Sequence, residues 1–142
     1  MREITTFLQK HNTLTLATER NHEVFAAALF YISVDNGKAV IFVSNPQSDH
    51  IKNLENNKKC AATIQENNLD WEKIKGIQIR GTIELAEEKY WKVYLNEFEY
   101  ISKSEKLKNA MKKVKLYKLN IKWARLIDNS KGFGSKNEIE YY

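Results

Sequence analysis

The chain has little cysteine, few arginines and no long apolar run. Cys60 is the single cysteine among 142 residues, which excludes an intrachain disulfide and is typical of a reducing compartment. No apolar run approaches the roughly 18 residues that a membrane-spanning helix needs, and none follows the first residues as a signal peptide would require. We therefore expect a cytoplasmic protein without a membrane partner.

Metal-binding and nucleophile patterns are also missing. The three histidines, His11, His22 and His50, do not have the spacing of metal ligands, and Cys60 has no second cysteine to pair with. No metal site is expected, and Cys60 is interpreted as a small core residue. Since no Ser-His-Asp or Cys-His arrangement can be argued, no catalytic residue is assigned.

Length and composition indicate a single domain over residues 1–142. The hydrophobic fraction is 42% and the aromatic fraction 11%, so the chain can bury a core. The net charge is +5, and eight lysines lie between Ser102 and Lys122 against the single acid Glu105. Such a run is usually a solvated face. The less favoured interpretation is a nucleic-acid surface, with Tyr117 and Trp123 available for stacking.

Hydrophobic periodicity predicts six strands and four helices. Helices are predicted at 3–11, 49–57, 87–101 and 104–113, and strands at 13–18, 24–34, 38–44, 60–65, 74–88 and 115–128. The segment 24–34 is apolar enough for a strand covered on both faces, and DNG at 35–37 indicates a hairpin turn. Leu69 and Trp71 suggest that their loop is held against the rest of the chain. Because the helices interrupt the strands without alternating with them, the order favours an α+β, mostly antiparallel barrel or curved sheet.

Short polar side chains crowd the junction between the strand that ends at Ser44 and the helix that follows. Ser44, Ser48 and His50 would each donate a hydrogen bond to a phosphate, and the backbone amides of residues 49–51 would point toward it. Asp49 argues against a phosphate because it brings negative charge. The alternative is that Ser48 only caps the helix.

The strand segment GIQIRG, residues 76–81, carries a second polar face. Gln78 and Arg80 lie opposite the isoleucines, and Gly81 permits another group to approach closely. The amide of Gln78 can both donate and accept, which suits the edge of an amide-like ring. The alternative is a strand surface that only faces solvent.

Four stretches together resemble the FMN-binding split-barrel superfamily of pyridoxamine 5′-phosphate oxidase-like proteins. They are TLTLAT followed by FAAALFY, FVSNPQSDHIKNLENN, GIQIRGTIEL and DNSKGFGSK, and they span about residues 5–136. Within that superfamily the likeness is to a small, poorly characterised bacterial branch. The resemblance implies a six-stranded antiparallel split β-barrel, of Greek-key type, with short flanking helices.

The resemblance also implies where a cofactor lies. Ser44 corresponds to the phosphate-binding hydroxyl and Ser48 to the serine of the turn, whereas Asp49 and His50 stand where the oxidases have a basic pair. The other cofactor-binding residues that it implies are Ala27, Ala28 and Leu29 along the flavin, Val43 at the end of the strand, and Gln78 beside the ring or the ribityl chain.

The function implied by this resemblance is an FMN-binding oxidoreductase. It would pass electrons or hydride between a reduced nicotinamide and a small-molecule acceptor, as a homodimer with flavin at the subunit interface. Oxidation of pyridoxamine phosphate itself is less favoured. Arg125 is the only arginine after Arg80, so the chain has few arginines that could bind the substrate phosphate in a bidentate way. The alternative is a non-catalytic barrel that holds flavin or haem, and FAD and a deazaflavin stay open as cofactors.

Overall fold

The computed structural model describes residues 2–67 and 70–141, which form one antiparallel sheet flanked by short helices. The strands are β1 (Thr13–Arg20), β2 (Glu23–Phe30), β3 (Ile32–Val34), β4 (Ala39–Ser44), β5 (Lys59–Gln65), β6 (Lys75–Leu85), β7 (Lys115–Asp128) and β8 (Lys136–Glu140). The helices are α1 (Arg2–Lys10), α2 (Asp49–Lys52), α3 (Lys89–Glu97) and α4 (Glu105–Met111). No helix within the described ranges is long and apolar enough to cross a membrane.

The sheet curls until its two ends meet. The strand order is β2-β1-β5-β6-β7-β4-β3, and β8 pairs with β7 next to β4. β2 and β3 therefore stand at opposite ends of the order, although only Tyr31 separates them in the chain. Tyr31 is 1% exposed, its amide donates to the Asn12 carbonyl at 2.8 Å, and its hydroxyl donates to the Leu8 carbonyl at 2.8 Å. This residue thus joins the two ends of the sheet and fixes α1 across them.

Alternating side chains place the main core inside the curl. Leu14 and Leu16 of β1, Ile77 and Ile79 of β6, and Leu119 of β7 are all at most 3% exposed. Each such aliphatic side chain contributes about 1.5 to 3 kcal/mol when it is fully buried. The period-two pattern of the sequence therefore identifies the inner face of these strands correctly.

A second apolar cluster covers the outer side of β4 and β7. Tyr94 of α3 and Phe98, which follows the helix, have tilted rings with centroids 4.8 Å apart and belong to one cluster with Ile41 and Leu116. The aromatic stripe of this helix is therefore a packing surface, as its spacing predicts.

The antiparallel α+β class is confirmed, but the sheet has eight strands and not six. The predicted strand 24–34 is divided at Tyr31, because its first part pairs with β1 and its last part with β4. β8 adds the other strand, and its sequence KNEIE is too polar to indicate a strand by composition. The predicted helix 49–57 is also shorter, since α2 ends at Lys52 and a 3₁₀ turn continues to Glu55.

Three predictions about side-chain exposure are wrong. β2 is not covered on both faces, because Val24 is 80% exposed and Phe30 is 52% exposed. The side chain of Trp71 is 74% exposed and does not hold the loop, although the loop is held through the Trp71 carbonyl, which accepts from Asn129 Nδ2 at 2.9 Å. Leu69, its predicted companion, lies outside the described residues. Tyr117 is only 7% exposed and stacks on a core phenylalanine, so it is not available for stacking on a nucleic acid.

A partly exposed ion pair holds the hairpin turn at 35–37. Asp35, Asn36 and Gly37 have φ values of 53°, 56° and 80°, the left-handed conformation that the DNG sequence predicts. The Asp35 carboxylate accepts from the Tyr90 hydroxyl at 2.9 Å and lies 2.8 Å from Lys118 Nζ. The hydrogen bond from Lys118 lowers the pKa of Asp35 below its usual value. The turn is thereby connected to both α3 and β7.

We expect Asp35→Asn to weaken folding in a pH-dependent way. Asn tolerates the positive φ but removes the charge, so the free energy of unfolding should fall by about 0.5 to 1 kcal/mol near neutral pH. Because folding lowers the carboxyl pKa, this contribution is present above the unfolded pKa of about 3.9 and disappears as pH falls through the lowered value.

Urea denaturation of both proteins at about pH 7 and about pH 2.5 measures this difference. Glu99→Gln is the control, since Glu99 is an exposed acid outside the turn. A stability difference that persists unchanged at the lower pH would contradict the assignment.

Candidate functional site

The unpaired edge of β2 lies beside the end of β4 and the segment that follows it, and the space between them is called the cleft below. All eight residues of β2 pair with β1 along one edge. Among the described strands, none pairs with the other edge, and both β4 and α2 approach β2 to within 8 Å between Cα atoms. The backbone N–H and C=O groups along that edge therefore face the end of β4 and the turn before α2.

Three polar side chains converge at the β4 end of the cleft. Ser44 Oγ lies 2.7 Å from His50 Nε2 and 3.2 Å from Ser48 Oγ. Ser48 Oγ lies 3.4 Å from His50 Nε2 and donates to the Asn45 carbonyl at 2.7 Å. Ser44 is 8% exposed, and the other two are half-buried. The cluster thus combines two hydroxyls and an imidazole in a partly desolvated place.

The number of available hydrogens indicates which group donates in each of these hydrogen bonds. The Ser48 hydrogen goes to the Asn45 carbonyl, so Ser48 Oγ can only accept from Ser44. Ser44 then accepts from His50, which requires the proton on Nε2. If Ser44 donates to His50 Nε2 instead, the 3.2 Å contact between Ser44 and Ser48 has no hydrogen. The assignment that gives every one of these contacts a hydrogen thus places the proton of the neutral ring on Nε2 and leaves Nδ1 to gain the second proton.

Burial lowers the pKa of His50 below its ordinary value, because the imidazolium loses hydration. The negative charge of the adjacent Asp49 acts in the opposite direction and is the smaller effect. Asp49 itself is exposed. In the free protein the cluster is therefore uncharged at neutral pH, and its hydroxyl and Nε2 hydrogens are already engaged, so an incoming anion would have to replace these contacts.

The helix contributes less to this cluster than the sequence predicts. The amides of Ile51 and Lys52 both donate to the Ser48 carbonyl, at 3.1 and 3.0 Å, so the predicted donation by residue 51 is wrong. Ser48 makes no side-chain capping bond to α2. Its hydroxyl belongs to the cluster with Ser44, which removes the interpretation of Ser48 as a helix cap only.

The remaining predicted cofactor residues divide into two groups. Ala27, Ala28 and Leu29 lie on β2 along the cleft, and Val43 lies next to Ser44 on β4. Gln78 lies apart: it is exposed on the outer face of β6, where it is in register with Arg125. Ser44 is in register with Lys115 of β7. Lys115 and Arg125 are ten residues apart on β7, which corresponds to about 33 Å of strand. Within one chain Gln78 does not reach the cluster.

Two features of the site have no signal in the sequence. Lys115 is opposite Ser44 in the antiparallel register, so its side chain leaves the same face of the sheet. Asn53, which is 0% exposed, donates from Nδ2 to Thr18 Oγ1 at 3.2 Å and ties the segment after α2 to β1. Both pairs join residues that are far apart in the chain, and only the sheet topology reveals them.

Similarity to known proteins identifies the family of the chain. The family model described as pyridoxamine 5′-phosphate oxidase matches residues 1–128. The chain belongs to this family. It is also similar to UPF0306 proteins, at 23% identity to that of Pasteurella multocida and 27% to that of Yersinia pseudotuberculosis, over 96% and 94% of this chain and 89% and 88% of theirs.

Several solved structures share its fold. Campylobacter jejuni ChuZ aligns with a TM-score of 0.77 at 22% identity, over 98% of this chain and 58% of ChuZ. A heme binding protein from Mycobacterium smegmatis aligns at 0.73 and 16% identity, over 97% of this chain and 56% of its own. An FAD-binding protein from Mesorhizobium loti aligns at 0.66 and 15% identity, over 87% and 90%. The chain thus spans a little over half of the first two proteins.

We expect the His50 ring to titrate below the ordinary histidine value of 6.5, because the ring is partly buried. Asp49→Asn should lower this pKa further, since the carboxylate charge favours the imidazolium. Proton–carbon NMR of the histidine rings across about pH 4 to 8 measures both values, with His50→Gln used to assign the resonance. A ring pKa above 6.5, or a rise in the Asp49→Asn variant, would contradict the described environment.

Proposed function

We propose that the cleft binds FMN and that the chain is an FMN-dependent oxidoreductase. The observation that carries this proposal is the convergence of Ser44, Ser48 and His50 at one end of the unpaired β2 edge. The phosphate lies at this cluster, and the flavin ring lies along residues 27–29. Membership of the pyridoxamine 5′-phosphate oxidase family supports the choice of a flavin.

The residues present fit the two ends of such a ligand. Hydroxyl and imidazole groups are donors to a phosphate, and the Lys115 side chain adds positive charge on the face of Ser44. The unpaired N–H and C=O groups of β2 match the alternating donors and acceptors of a flavin edge. FMN supplies the two-electron redox chemistry when bound, while the chain binds and orients it.

The second copy of a homodimer would complete this site. Val24 and Phe30 are large apolar residues that β2 leaves exposed, and Ala28 lies between them on the same outer face. Covering this face with another subunit would bury it and place the flavin between two chains. Gln78 is too far from the cluster in its own chain, so it would contact the ring only from a second copy. A cytoplasmic location, where reduced nicotinamide is available, accords with the free thiol of Cys60.

The alternative function is a non-catalytic barrel for haem or another planar ligand. Asp49 favours it, because a carboxylate next to the cluster opposes the charge of a phosphate. The fold is shared with a heme binding protein from Mycobacterium smegmatis as well as with an FAD-binding protein from Mesorhizobium loti. FAD or a deazaflavin would use the same cluster for a phosphate.

We expect the protein to prefer FMN over riboflavin, which lacks the phosphate. Ser44→Ala and His50→Ala should each weaken FMN binding by about tenfold to hundredfold, because each removes a hydrogen bond to a charged group. The same variants should leave riboflavin affinity nearly unchanged. Fluorescence titrations with both ligands measure the ratio, and Ser102→Ala, an exposed serine outside the cleft, is the matched control. Equal loss of both ligands would mean that the variants damage the fold.

Reduction by a nicotinamide separates the oxidoreductase from a flavin carrier. FMN is added to purified protein, the excess is removed by desalting, and the visible spectrum is followed after anaerobic addition of NADPH or NADH. Bleaching of the flavin band at about one flavin per chain is the expected result. Retained flavin that neither nucleotide bleaches would support a non-catalytic role. A colourless protein that takes up haem stoichiometrically would replace the flavin proposal with the haem alternative.

A further inference from the structure

A polar groove lies beside β3, between the C-terminal ends of α1 and α3. Its cavity of about 420 Å³ is lined by residues 8–12 at the end of α1, by residues 31–33, and by Glu97, the last residue of α3. β3 pairs with β4 along one edge, and none of the described strands pairs with its other edge. The groove is therefore next to a strand that still has an unpaired backbone edge.

Ser33 presents its backbone to this groove. The Tyr31 N–H donates to the Asn12 carbonyl at 2.8 Å and so continues the ladder with β1, on the side away from β4. Backbone groups two residues apart in an extended strand point in the same direction. The N–H and C=O of Ser33 therefore also point away from β4, toward the end of α1.

The Ser33 hydroxyl is a donor and acceptor without a partner. Its Oγ is buried and makes no hydrogen bond to any described residue. Ser33 as a whole is half-buried, and its hydroxyl loses no hydrogen bond when it changes rotamer. Rotation about the Cα–Cβ bond can therefore turn the hydroxyl into the groove at little cost. Because a buried hydroxyl that stays unpaired is unfavourable, a polar group bound at this place would be stabilised.

The charge distribution of the groove favours a cation. The C-terminal end of a helix carries the negative end of its dipole, and two such ends lie here. Glu97 is exposed and is the one carboxylate in the lining. The two basic side chains of the lining, Lys10 and His11, lie 4.0 and 3.5 Å from Glu66 Oε1, and Glu66 does not line the groove. Both therefore already have an acidic neighbour outside the groove.

Two hydrogen bonds hold the α1 side of the groove in place. The Tyr31 hydroxyl donates to the Leu8 carbonyl and His11 Nδ1 donates to the Phe7 carbonyl, each at 2.8 Å. Tyr31 itself is 1% exposed, so its ring is fixed by the core. The groove is therefore formed before any ligand arrives, as is usual for small-molecule sites.

We propose that this groove binds a small primary amine in its ammonium form. Three acceptors, the carbonyl and hydroxyl of Ser33 and the carboxylate of Glu97, match the three N–H groups of an ammonium. The Ser33 N–H matches a hydroxyl or amide oxygen next to the amine. The volume lies within the range of about 300 to 1,000 Å³ that is typical of small-molecule sites.

The groove is separate from the residues assigned to the flavin and to the dimer. None of Ser44, Ser48 and His50 lines it, and neither do Val24 and Phe30 of the outer face that a second copy would cover. The proposal therefore does not rest on flavin binding, and it requires no residue of the dimer face.

The test is an NMR titration of the full chain with glycinamide at about pH 6.5, where the amino group of this ligand is protonated. We expect saturable shift changes at the backbone amides of Asn12 and Ser33, with a dissociation constant of roughly 1 to 10 mM, as is ordinary for so small a ligand. Glycolamide has a hydroxyl in place of the ammonium and should bind at least about tenfold more weakly.

Variants of the two lining residues test their contacts separately. Ser33→Ala and Glu97→Gln should each weaken glycinamide binding by about two- to tenfold, the range for one hydrogen bond or one exposed charge pair. Because Ser33 Oγ has no partner in the free protein, Ser33→Ala should leave the urea midpoint unchanged, so its loss of binding cannot come from unfolding. Glu99→Gln removes a nearby exposed acid that does not line the groove, and it should have no effect.

Several results would overturn the proposal. They are the absence of saturable shift changes, equal binding of glycolamide, and equal weakening by Glu97→Gln and Glu99→Gln, which would indicate attraction to surface charge alone. Shift changes confined to residues 27–29 would place the amine in the flavin cleft and would also overturn it. Retained glycinamide binding in a protein that takes up no FMN would reject the proposed function alone.

Discussion

One continuous stretch of chain pairs with both ends of the sheet, and the rest of the structure depends on this constraint. Residues 23–30 complete the ladder with β1, and residues 32–34 complete the ladder with β4. Tyr31 makes the change of neighbour possible, because its amide and hydroxyl are satisfied by carbonyls of the α1 region while its ring is fully buried. The same change of neighbour leaves the second edge of β2 unpaired beside β4.

The position of the cleft is therefore set by the order of the strands, while its hydrogen-bonding groups come from a few side chains. Its cluster is uncharged and internally hydrogen-bonded, and burial disfavours a permanent charge on His50. An arriving phosphate would favour the imidazolium and so would raise the pKa that burial lowers. Ligand charge and ring protonation would in this way be thermodynamically linked, so affinity for a phosphate would rise as pH falls through the raised pKa and level off below the pKa of the free protein.

Local patterns in the sequence predict much of the fold and part of the site. Period-two alternation identifies the inner faces of β1 and β6, and the DNG turn has the predicted positive φ values. The cluster at the end of β4 is predictable because its residues lie within seven positions of one another. The opposition of Lys115 to Ser44 is not predictable, since it depends on a register between distant strands. The sequence also does not predict β8, because this strand forms by pairing with β7 and its own composition does not indicate a strand.

The unpaired edge of β2 has a consequence for the behaviour of the chain in solution. An exposed strand edge is a template for another strand, and neighbouring apolar side chains such as Val24 make that encounter more favourable. A ligand bound along this edge would act as a substitute strand, because it would take up the hydrogen bonds that could otherwise recruit a second polypeptide. Binding at the cleft and resistance to aggregation would then both depend on the same unpaired backbone.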